Sequence, residues 1–428
     1  MQKVKTLNPI LIYRRIFNTG EKKRLFENFF SLSVLQGLNY LLPLVTFPYL
    51  VRVLGVEKFG LLSFATATIA YFQILTDYGF NLSATREVAI NRDNKEKLNE
   101  IYSSVMIIKF CLLIISFLLL SVLVFSFEKF RQDWLVYYLS FGMVLGQALF
   151  PVWFFQGMER MKYITFLNIL AKGLFTIAIF VFVKQQSDYW QVPLLNSMGF
   201  ILAGVLSLWI IYKDLNISFK FVGFENILRE LKEGWCIFIT SIQSNILSSS
   251  GVFVLGLFAS NYIVGYYSAI EKLFKSFVSL FQPITQTLFP YSSNKLKKSI
   301  KEGKLFIVKT GLLTSILSLF IVFFLVFFSE DILYIVFGYE FIKYAIIIDL
   351  LSIWLFFGVI NNFIGIQFLI GAGYSEVYFK SFNIASLVTI ITYFSLTWKY
   401  YYYGIIVGMV LGEITLTIAM IYFIKNEV

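Results

Sequence analysis

The sequence predicts an all-α polytopic membrane protein. Hydrophobic residues make up 58% of the 428-residue chain and charged residues only 14%, whereas an ordinary soluble domain carries about 25% charged residues. The apolar residues fall in runs of about 20, the length that one helix needs to cross a hydrocarbon core about 30 Å thick. Such runs are too long for the alternating strands of about ten residues that build outer-membrane barrels.

Twelve runs qualify as transmembrane helices. Their approximate bounds are 29–51, 60–81, 102–126, 134–154, 163–183, 192–212, 235–258, 266–290, 305–328, 346–370, 381–398 and 404–424. Residues 1–28 precede the first run, and the longest connection, 213–234, reads as an amphipathic helix halfway along the chain. We therefore predict two six-helix bundles, 29–212 and 235–428, joined by the linker 213–234.

Lysine and arginine are unevenly distributed between the two predicted sides of the membrane. The connections on the N-terminal side hold 24 of the 36 Lys and Arg residues, and the opposite connections hold 7. Because cytoplasmic connections carry the excess of basic residues, both termini are predicted to be cytoplasmic. The net charge of +11 follows from this bias, so it gives little support to nucleic-acid binding.

The residue types exclude several kinds of active site. The chain has no histidine and two cysteines, Cys111 and Cys236, which both fall within predicted helices. A His-centred metal site or catalytic triad is therefore excluded, and no disulfide framework is indicated. No phosphate-binding loop is present, and the predicted outer connections are short. We predict a transporter that uses no metal or cofactor, rather than an enzyme.

The two halves of the sequence look alike. Asn39 in the first predicted helix corresponds to Asn245 in the seventh, and Gly60-Leu-Leu-Ser63 corresponds to Gly265-Tyr-Tyr-Ser268 at an offset of 205. Six helices per half predict repeats of parallel orientation, and transporters of this kind hold their substrate pathway between the halves. Chance similarity between apolar helices is the alternative explanation.

Five lysines lie inside predicted transmembrane helices. An unpaired ammonium group near the bilayer centre costs about 2.5–3.5 kcal/mol, so such residues normally face a wet cavity. Lys172 and Lys109 are candidates for binding an anionic cargo, and snorkelling to the headgroups is the alternative for Lys109. Lys309 lies one turn into its helix, where snorkelling explains it better.

The eighth predicted helix contributes the other two lysines together with a carboxylate. Glu271 precedes Lys275 by four residues, the favourable order for an ion pair on one helix face. Lys272 lies three residues before Lys275 and shares that face. One glutamate can neutralise only one of the two lysines, so the face keeps a positive charge and is predicted to line the cavity. A structural ion pair with a snorkelling Lys272 is the alternative.

Other polar residues inside the predicted helices have two explanations each. Glu271 and Asp349 are candidates for coupling transport to H⁺ or Na⁺, because buried carboxylates can bind and release cations; a salt bridge with a lysine is the alternative. Asn39 and Asn245 are candidates for binding sugar hydroxyls, or they hydrogen-bond helices together. Arg52 is a further cargo candidate or an interfacial anchor.

Short runs between residues 43 and 272 form a specific combination. They are Pro43-Leu-Val-Thr-Phe-Pro-Tyr-Leu-Val-Arg-Val-Leu-Gly55, Asp77-Tyr-Gly-Phe-Asn81, Ala84-Thr-Arg-Glu-Val-Ala89, Trp153-Phe-Phe-Gln-Gly-Met-Glu159 and Gly265-Tyr-Tyr-Ser-Ala-Ile-Glu-Lys272. Together they resemble the bacterial O-antigen (polysaccharide-unit) flippases of the multidrug/oligosaccharidyl-lipid/polysaccharide exporter superfamily. The C-terminal third matches that family only in hydropathy.

The resemblance implies a fold like that of the multidrug (MATE) exporters, with two bundles and alternating access. It implies that an undecaprenyl-pyrophosphate-linked oligosaccharide moves from the cytoplasmic to the periplasmic leaflet of the bacterial inner membrane, for O-antigen and lipopolysaccharide assembly with other polysaccharide-assembly proteins. A pyrophosphate headgroup suits a lumen that contains lysines. Arg86 and Lys295, in the basic connections after the second and eighth helices, would attract the headgroup at the cytoplasmic mouth.

Two other functions remain as alternatives. An ion-coupled multidrug antiporter would share the fold, but it would be expected to use an acidic or aromatic pocket for cationic drugs. Here lysines outnumber carboxylates in the predicted helices. A membrane-embedded polysaccharide polymerase is less favoured, because no connection is long enough for a catalytic segment.

Overall fold

The computed structural model describes residues 20–427, with the backbone alone for 20–35, 40, 41, 236, 244 and 246–248. Helices account for most of this range, and no strand occurs within it. The predicted all-α class is thereby confirmed. The predicted N-terminal segment 1–28 lies largely outside the described residues.

The first two predicted transmembrane helices are present as two helical segments that meet at a kink at Gly55, and they are labelled together as α1. Helix α1 runs from Gly20 to Asp77, and Gly55 adopts non-helical angles of φ 76° and ψ 162°. Glycine reaches a positive φ at little steric cost. The 58 residues of α1 correspond to about 87 Å of helix in total at 1.5 Å per residue, which is enough for two crossings, one on each side of Gly55.

The chain divides into two compact units. The first unit comprises Met1–Leu42, Phe72–Val181 and Pro193–Phe238. The first unit contains the beginning of α1, up to Leu42, and its end, from Phe72 onward, together with the start of α9. Its other helices are α2 (Ser83–Ile90), α3 (Lys95–Ser126), α4 (Glu128–Arg131), α5 (Trp134–Leu149), α6 (Val152–Gly157), α7 (Met161–Phe182) and α8 (Gln191–Asp214). Its core includes Trp153 and Phe154 of α6, whose ring centroids lie 6.3 and 5.7 Å from that of Tyr102.

The second unit comprises Pro43–Tyr71, Phe182–Val192 and Ile239–Val428. The middle of α1 therefore belongs with the C-terminal half of the sequence. Its other helices are the rest of α9 (Phe224–Phe258), α10 (Asn261–Val278), α11 (Gln282–Lys298), α12 (Ile300–Phe327), α13 (Ser329–Phe337), α14 (Ile346–Asn361), α15 (Ser375–Tyr400) and α16 (Tyr402–Glu427). A π-helical stretch, Asn362–Ile370, continues α14. The predicted bundles 29–212 and 235–428 stay a prediction.

Nine helices in the described part of the chain are long and apolar enough to cross a membrane. Ten of the twelve predicted crossings fall on these nine helices. The other two fall on α9, of which Ser249–Phe258 is a shorter apolar stretch, and on α10 and α11, which a 3₁₀ turn at Ser279–Phe281 separates. The protein is a multi-pass membrane protein, and the count of twelve stays a prediction.

Candidate functional site

Lys172 lies at the middle of α7, and its ammonium group contacts α1. The Nζ atom donates a hydrogen bond to Oδ1 of Asn39 at 2.5 Å, and both residues belong to the first unit. An amide oxygen satisfies one N–H of the ammonium group without neutralising its charge. Two predicted cargo residues therefore meet here and offer a cation beside an amide.

Lys109, in contrast, has a carboxylate partner. Its Nζ lies 3.0 Å from Oδ1 of Asp77, and the lysine side chain is only 2% exposed. Oδ2 of Asp77 accepts hydrogen bonds from Gln147 at 2.5 Å and from Asn81 at 3.2 Å. The charge of Lys109 is matched in place, and the residue does not snorkel. Lys109 is therefore not proposed as a contact for the cargo.

Lys272 of α10 is held in the second unit by three residues of α1. Its Nζ donates to Oγ of Ser63 at 2.9 Å and lies 4.5 and 4.7 Å from the ring centroids of Phe47 and Phe59. Aromatic faces attract cations, but rings and a hydroxyl leave the formal charge in place. Phe47 precedes the break at Gly55 and the other two residues follow it.

A close approach between helices lets Lys272 reach Ser63. A Cβ atom on Gly60 would lie 1.8 Å from the backbone oxygen of Asn261, and one on Gly265 would lie 2.1 Å from that of Val56. Because any side chain would collide with backbone, only glycine fits at either position. The two glycines that open matching runs in the sequence thus belong to one helix contact.

Glu271 and Lys275 form the ion pair expected from their spacing. The Nζ atom of Lys275 lies 2.9 Å from Oε1 of Glu271, with the glutamate side chain 5% exposed and the lysine side chain 34% exposed. Glu271 therefore compensates Lys275 rather than Lys272 by direct contact. The predicted surplus of one positive charge on this face corresponds to Lys272.

Arg52 and Asn245, two further predicted cargo residues, also belong to the second unit. Nη2 of Arg52 donates to the backbone oxygens of Ile335 at 3.2 Å and Val336 at 2.8 Å. These oxygens lie in the last turn of α13, where a cation interacts favourably with the helix dipole. Arg52 therefore has a structural role at the C-terminal end of α13. Asn245 lies half-buried on α9, and its backbone oxygen accepts from Ser250 at 3.3 Å.

Two carboxyl groups inside the predicted transmembrane helices of the second unit lack a lysine or arginine partner among the described residues. Oδ1 of Asp349, in the first turn of α14, is buried without a hydrogen-bond partner in the described part of the chain. Oε2 of Glu413 accepts from Nδ2 of Asn361 at 2.6 Å, and Thr417 donates to Oδ1 of that amide at 2.6 Å. Both carboxyl groups are chemically able to exchange a proton.

The two residues predicted for a cytoplasmic mouth differ in their surroundings. Arg86 is exposed on α2 in the first unit. Lys295 is half-buried on α11 in the second unit, with its Nζ 5.1 Å from the ring centroid of Tyr291 and 4.4 Å from that of Phe306. The guanidinium of Arg86 is therefore the more accessible of the two cations.

Neither Gln147 nor Thr417 was predicted from the sequence to belong to a site. Glu413 and Thr417 are four residues apart on α16, so their shared face was readable from the sequence. The approach of Asn361 from α14 and of Gln147 to Asp77 depends on helix packing and had no signal in the sequence.

Comparison with known proteins gives a family match and structural relatives. Residues 25–295 match the model of the family described as "Polysaccharide biosynthesis protein". The chain is 29% identical over 406 residues to a protein of Escherichia coli (strain K12) named "Putative O-antigen transporter", covering 95% of this chain and 98% of that one.

Two solved structures share the fold across most of the chain. The lipid II flippase MurJ, in an inward closed conformation, aligns with a TM-score of 0.75 and 15% identity, over 92% of this chain and 87% of that one. An inward-facing multidrug resistance MATE family transporter of the MOP superfamily aligns with a TM-score of 0.68 and 14% identity, over 90% and 96%. The predicted MATE-like exporter fold is thereby confirmed.

Proposed function

Since the chain belongs to the polysaccharide biosynthesis protein family, we propose that it is a flippase that carries a lipid-linked oligosaccharide across a membrane. The resemblance seen in the sequence is confirmed, and the chain is a transporter rather than an enzyme. The name of the Escherichia coli relative, aligned over 95% of this chain, supports an O-antigen or related surface-polysaccharide unit as the cargo.

The observation that carries this proposal is the chemistry around two intramembrane lysines. Lys172 donates to an amide oxygen and Lys272 to a hydroxyl, with two aromatic rings beside the latter. Neither has a carboxylate within ion-pair distance among the described residues, so each unit keeps a cation available to an anion. An anionic headgroup that offers phosphate oxygens compensates such charges strongly in a low-dielectric environment.

The cargo is proposed in finer detail as an undecaprenyl-pyrophosphate-linked oligosaccharide. Lys172 in the first unit and Lys272 in the second are each proposed, separately, as a contact for pyrophosphate oxygens, with Lys275 contributing less because Glu271 already neutralises it. Asn39 and Asn245 would donate to sugar hydroxyls. Arg86, exposed on α2, and Lys295 would attract the headgroup to the mouth before transport by alternating access.

We place the protein in the bacterial inner membrane with both termini in the cytoplasm, in accord with the distribution of its Lys and Arg residues. Transport would then run from the cytoplasmic to the periplasmic leaflet, in concert with other polysaccharide-assembly proteins. Coupling to H⁺ or Na⁺ is proposed to use a carboxyl group of the second unit. Glu271 and Asp349 are the sequence candidates, and Glu413 joins them because its contacts are with neutral donors.

Deletion of the gene in its host tests the proposed function against the antiporter alternative. We expect surface polysaccharide to disappear while the lipid-linked unit accumulates in the cytoplasmic leaflet, and a plasmid copy of the chain to restore both. Normal surface polysaccharide together with increased drug sensitivity would overturn the flippase and favour drug export.

A further inference from the structure

A long apolar groove runs along the second unit between α12, α14 with its π-helical continuation, and α16. It encloses about 650 Å³. Leu312 and Ile316 on its rim are 60% and 63% exposed, as expected of side chains that face lipid. Apolar side chains form most of its wall, among them Ile307, Leu312, Ile316, Ile360, Ile364 and Ile421.

The floor of the groove depends on two local features. Gly311 has no side chain there, and a Cβ atom on it would lie 3.2 Å from the ring of Phe363. Phe363 and Phe368, which are 5% and 7% exposed, belong to the π-helical stretch Asn362–Ile370. Such stretches are rare and frequently mark functional sites.

Two lysines line one end of the groove. Lys304 lies near the start of α12 and Lys425 near the end of α16, and both side chains are exposed. Lys304 lies 5.7 Å from the ring centroid of Phe368. Neither lysine has an ion pair among the described residues, whereas nearby Glu427 is paired with Lys380 at 3.1 Å. An apolar channel with two cations at one end is complementary to an anionic lipid.

The groove is separate from the surroundings of Lys272. Trp354 of α14 contacts Phe274 of α10 with ring centroids 6.4 Å apart, and α10 is the helix that carries Lys272. Phe356, which lines the groove, lies two residues further along α14, roughly 200° around the helix. The groove therefore opens on the side of α14 away from α10, where it would not receive a cargo held by Lys272.

We propose that this groove binds one anionic phospholipid, with an acyl chain between α12, α14 and α16 and the phosphate between Lys304 and Lys425. Lysines close to a membrane surface attract anionic lipids, and buried methylene groups add to the affinity. On the predicted topology the lipid comes from the cytoplasmic leaflet. It is a bound membrane component, distinct from the transported cargo.

Titration of the purified full-length protein with phosphatidylglycerol or phosphatidylcholine of matched acyl chains, followed by native mass spectrometry, tests this site. We expect one phosphatidylglycerol to bind roughly 30-fold more tightly than phosphatidylcholine, and Lys304→Ala/Lys425→Ala to remove that preference. Lys297→Ala/Lys298→Ala, which removes two exposed lysines outside the groove, should keep it.

Filling the groove gives a second measurement that does not rely on charge. Ser315→Trp should abolish the tight binding, whereas Leu313→Trp, on the same helix but outside the groove, should not. Equal binding of the two phospholipids, or unchanged binding in both Lys304→Ala/Lys425→Ala and Ser315→Trp, would overturn the proposal. So would undecaprenyl phosphate displacing phosphatidylglycerol at lower concentration, because the groove would then belong to the cargo lipid.

Discussion

The Nζ atom of Lys172, at the middle of α7, lies 2.5 Å from Oδ1 of Asn39 on α1. The amide oxygen accepts a hydrogen bond from the ammonium group of Lys172, which lies on an apolar helix, but it does not neutralise the charge of that group. An uncompensated ammonium group in the membrane is costly. We therefore expect an anionic cargo to compensate the charge of Lys172. Within the first unit, this pair of residues gives the strongest support for an anionic cargo.

Lys172→Ala should reduce surface polysaccharide by about tenfold or more at unchanged protein level, because a charge-assisted hydrogen bond to the headgroup is lost. Asn39→Ala should reduce it less, since the cation remains. Surface polysaccharide in a complemented deletion strain is the readout. The matched control is Lys309→Ala, which removes an exposed intramembrane lysine and should leave the amount normal. Equal amounts from Lys172→Ala and Lys309→Ala would contradict the assignment.

Lys109→Met should destabilise the protein by about 3 kcal/mol, because it leaves Asp77 in its site without a counter-charge. Asp77→Asn combined with Lys109→Met should recover much of the loss, since both charges are then gone. The unfolding temperature of purified protein is the measurement, with Lys309→Met as the control. If the double variant is as unstable as Lys109→Met, the pair has no such coupling.

The stability of the first unit should depend on pH through Glu230, which lies five residues before the predicted seventh transmembrane helix. Its side chain is 1% exposed. Burial raises its pKa from 4.5 to about 7, with Arg229 opposing the rise and Glu233 and Glu87 adding to it. The folded state then binds this proton more tightly than the unfolded chain. Stability should therefore fall as pH rises from about 4.5 to about 7, by about 3 kcal/mol.

Glu230→Gln should remove that loss. Its unfolding temperature should equal that of the wild type near pH 4, below the unfolded pKa, and exceed it by a few degrees near pH 8. Glu225→Gln, at an exposed position near the start of the same helix, serves as the control and should keep the pH dependence of the wild type. A constant difference between Glu230→Gln and the wild type across this range would show that the effect is not protonation.

Gly60→Ala should destabilise the second unit by at least about 1–3 kcal/mol, because the new methyl group collides with backbone 1.8 Å away and the helices must separate. Gly173→Ala is the matched control within a helix, with nothing within 4 Å of the added Cβ, and it should be neutral or slightly stabilising. Thermal unfolding of both variants distinguishes the two cases. A harmless Gly60→Ala would mean that α1 and α10 do not approach as described.

If transport is coupled to an ion gradient, substitutions of Glu271 and Glu413 should differ in their effects. Glu271→Gln should blunt the dependence of transport on an ion gradient and also release Lys275 from its 2.9 Å ion pair. Glu413→Gln should affect the gradient dependence without freeing a lysine. Transport is measured with and without an imposed gradient, and Glu302→Gln, at an exposed position near the start of α12, is the control. Unchanged dependence in both variants would remove both carboxyl groups from the coupling mechanism.

Helix periodicity was enough to predict contacts within one helix. Glu271 and Lys275 are four residues apart, and their ion pair is present. The sequence also selected Lys172 and Asn39 as separate candidates, because polar residues are costly in an apolar helix whatever their partner. Their contact joins residues 133 apart, and no periodic pattern encodes such a separation.

Contacts between helices account for what could not be predicted. Lys109 looked similar to Lys172 in the sequence, yet Asp77, 32 residues away, neutralises it. Gly55 separates the two predicted crossings within α1, but hydropathy did not predict the backbone angles at which they meet. The groove could not be predicted from the sequence either. Lys304 and Lys425 are 121 residues apart in the numbering of the chain, and in the sequence they count only as basic residues of the predicted cytoplasmic connections.

Reconstitution tests the central claim most directly. The purified chain is inserted into liposomes that contain an undecaprenyl-pyrophosphate-linked oligosaccharide with a fluorescent sugar, and an impermeant reagent quenches the outer leaflet. We predict that the wild-type chain makes the inner-leaflet fraction accessible, and that Lys172→Ala does so at least about tenfold more slowly. If wild-type liposomes are quenched no further than protein-free liposomes, the chain does not flip this lipid.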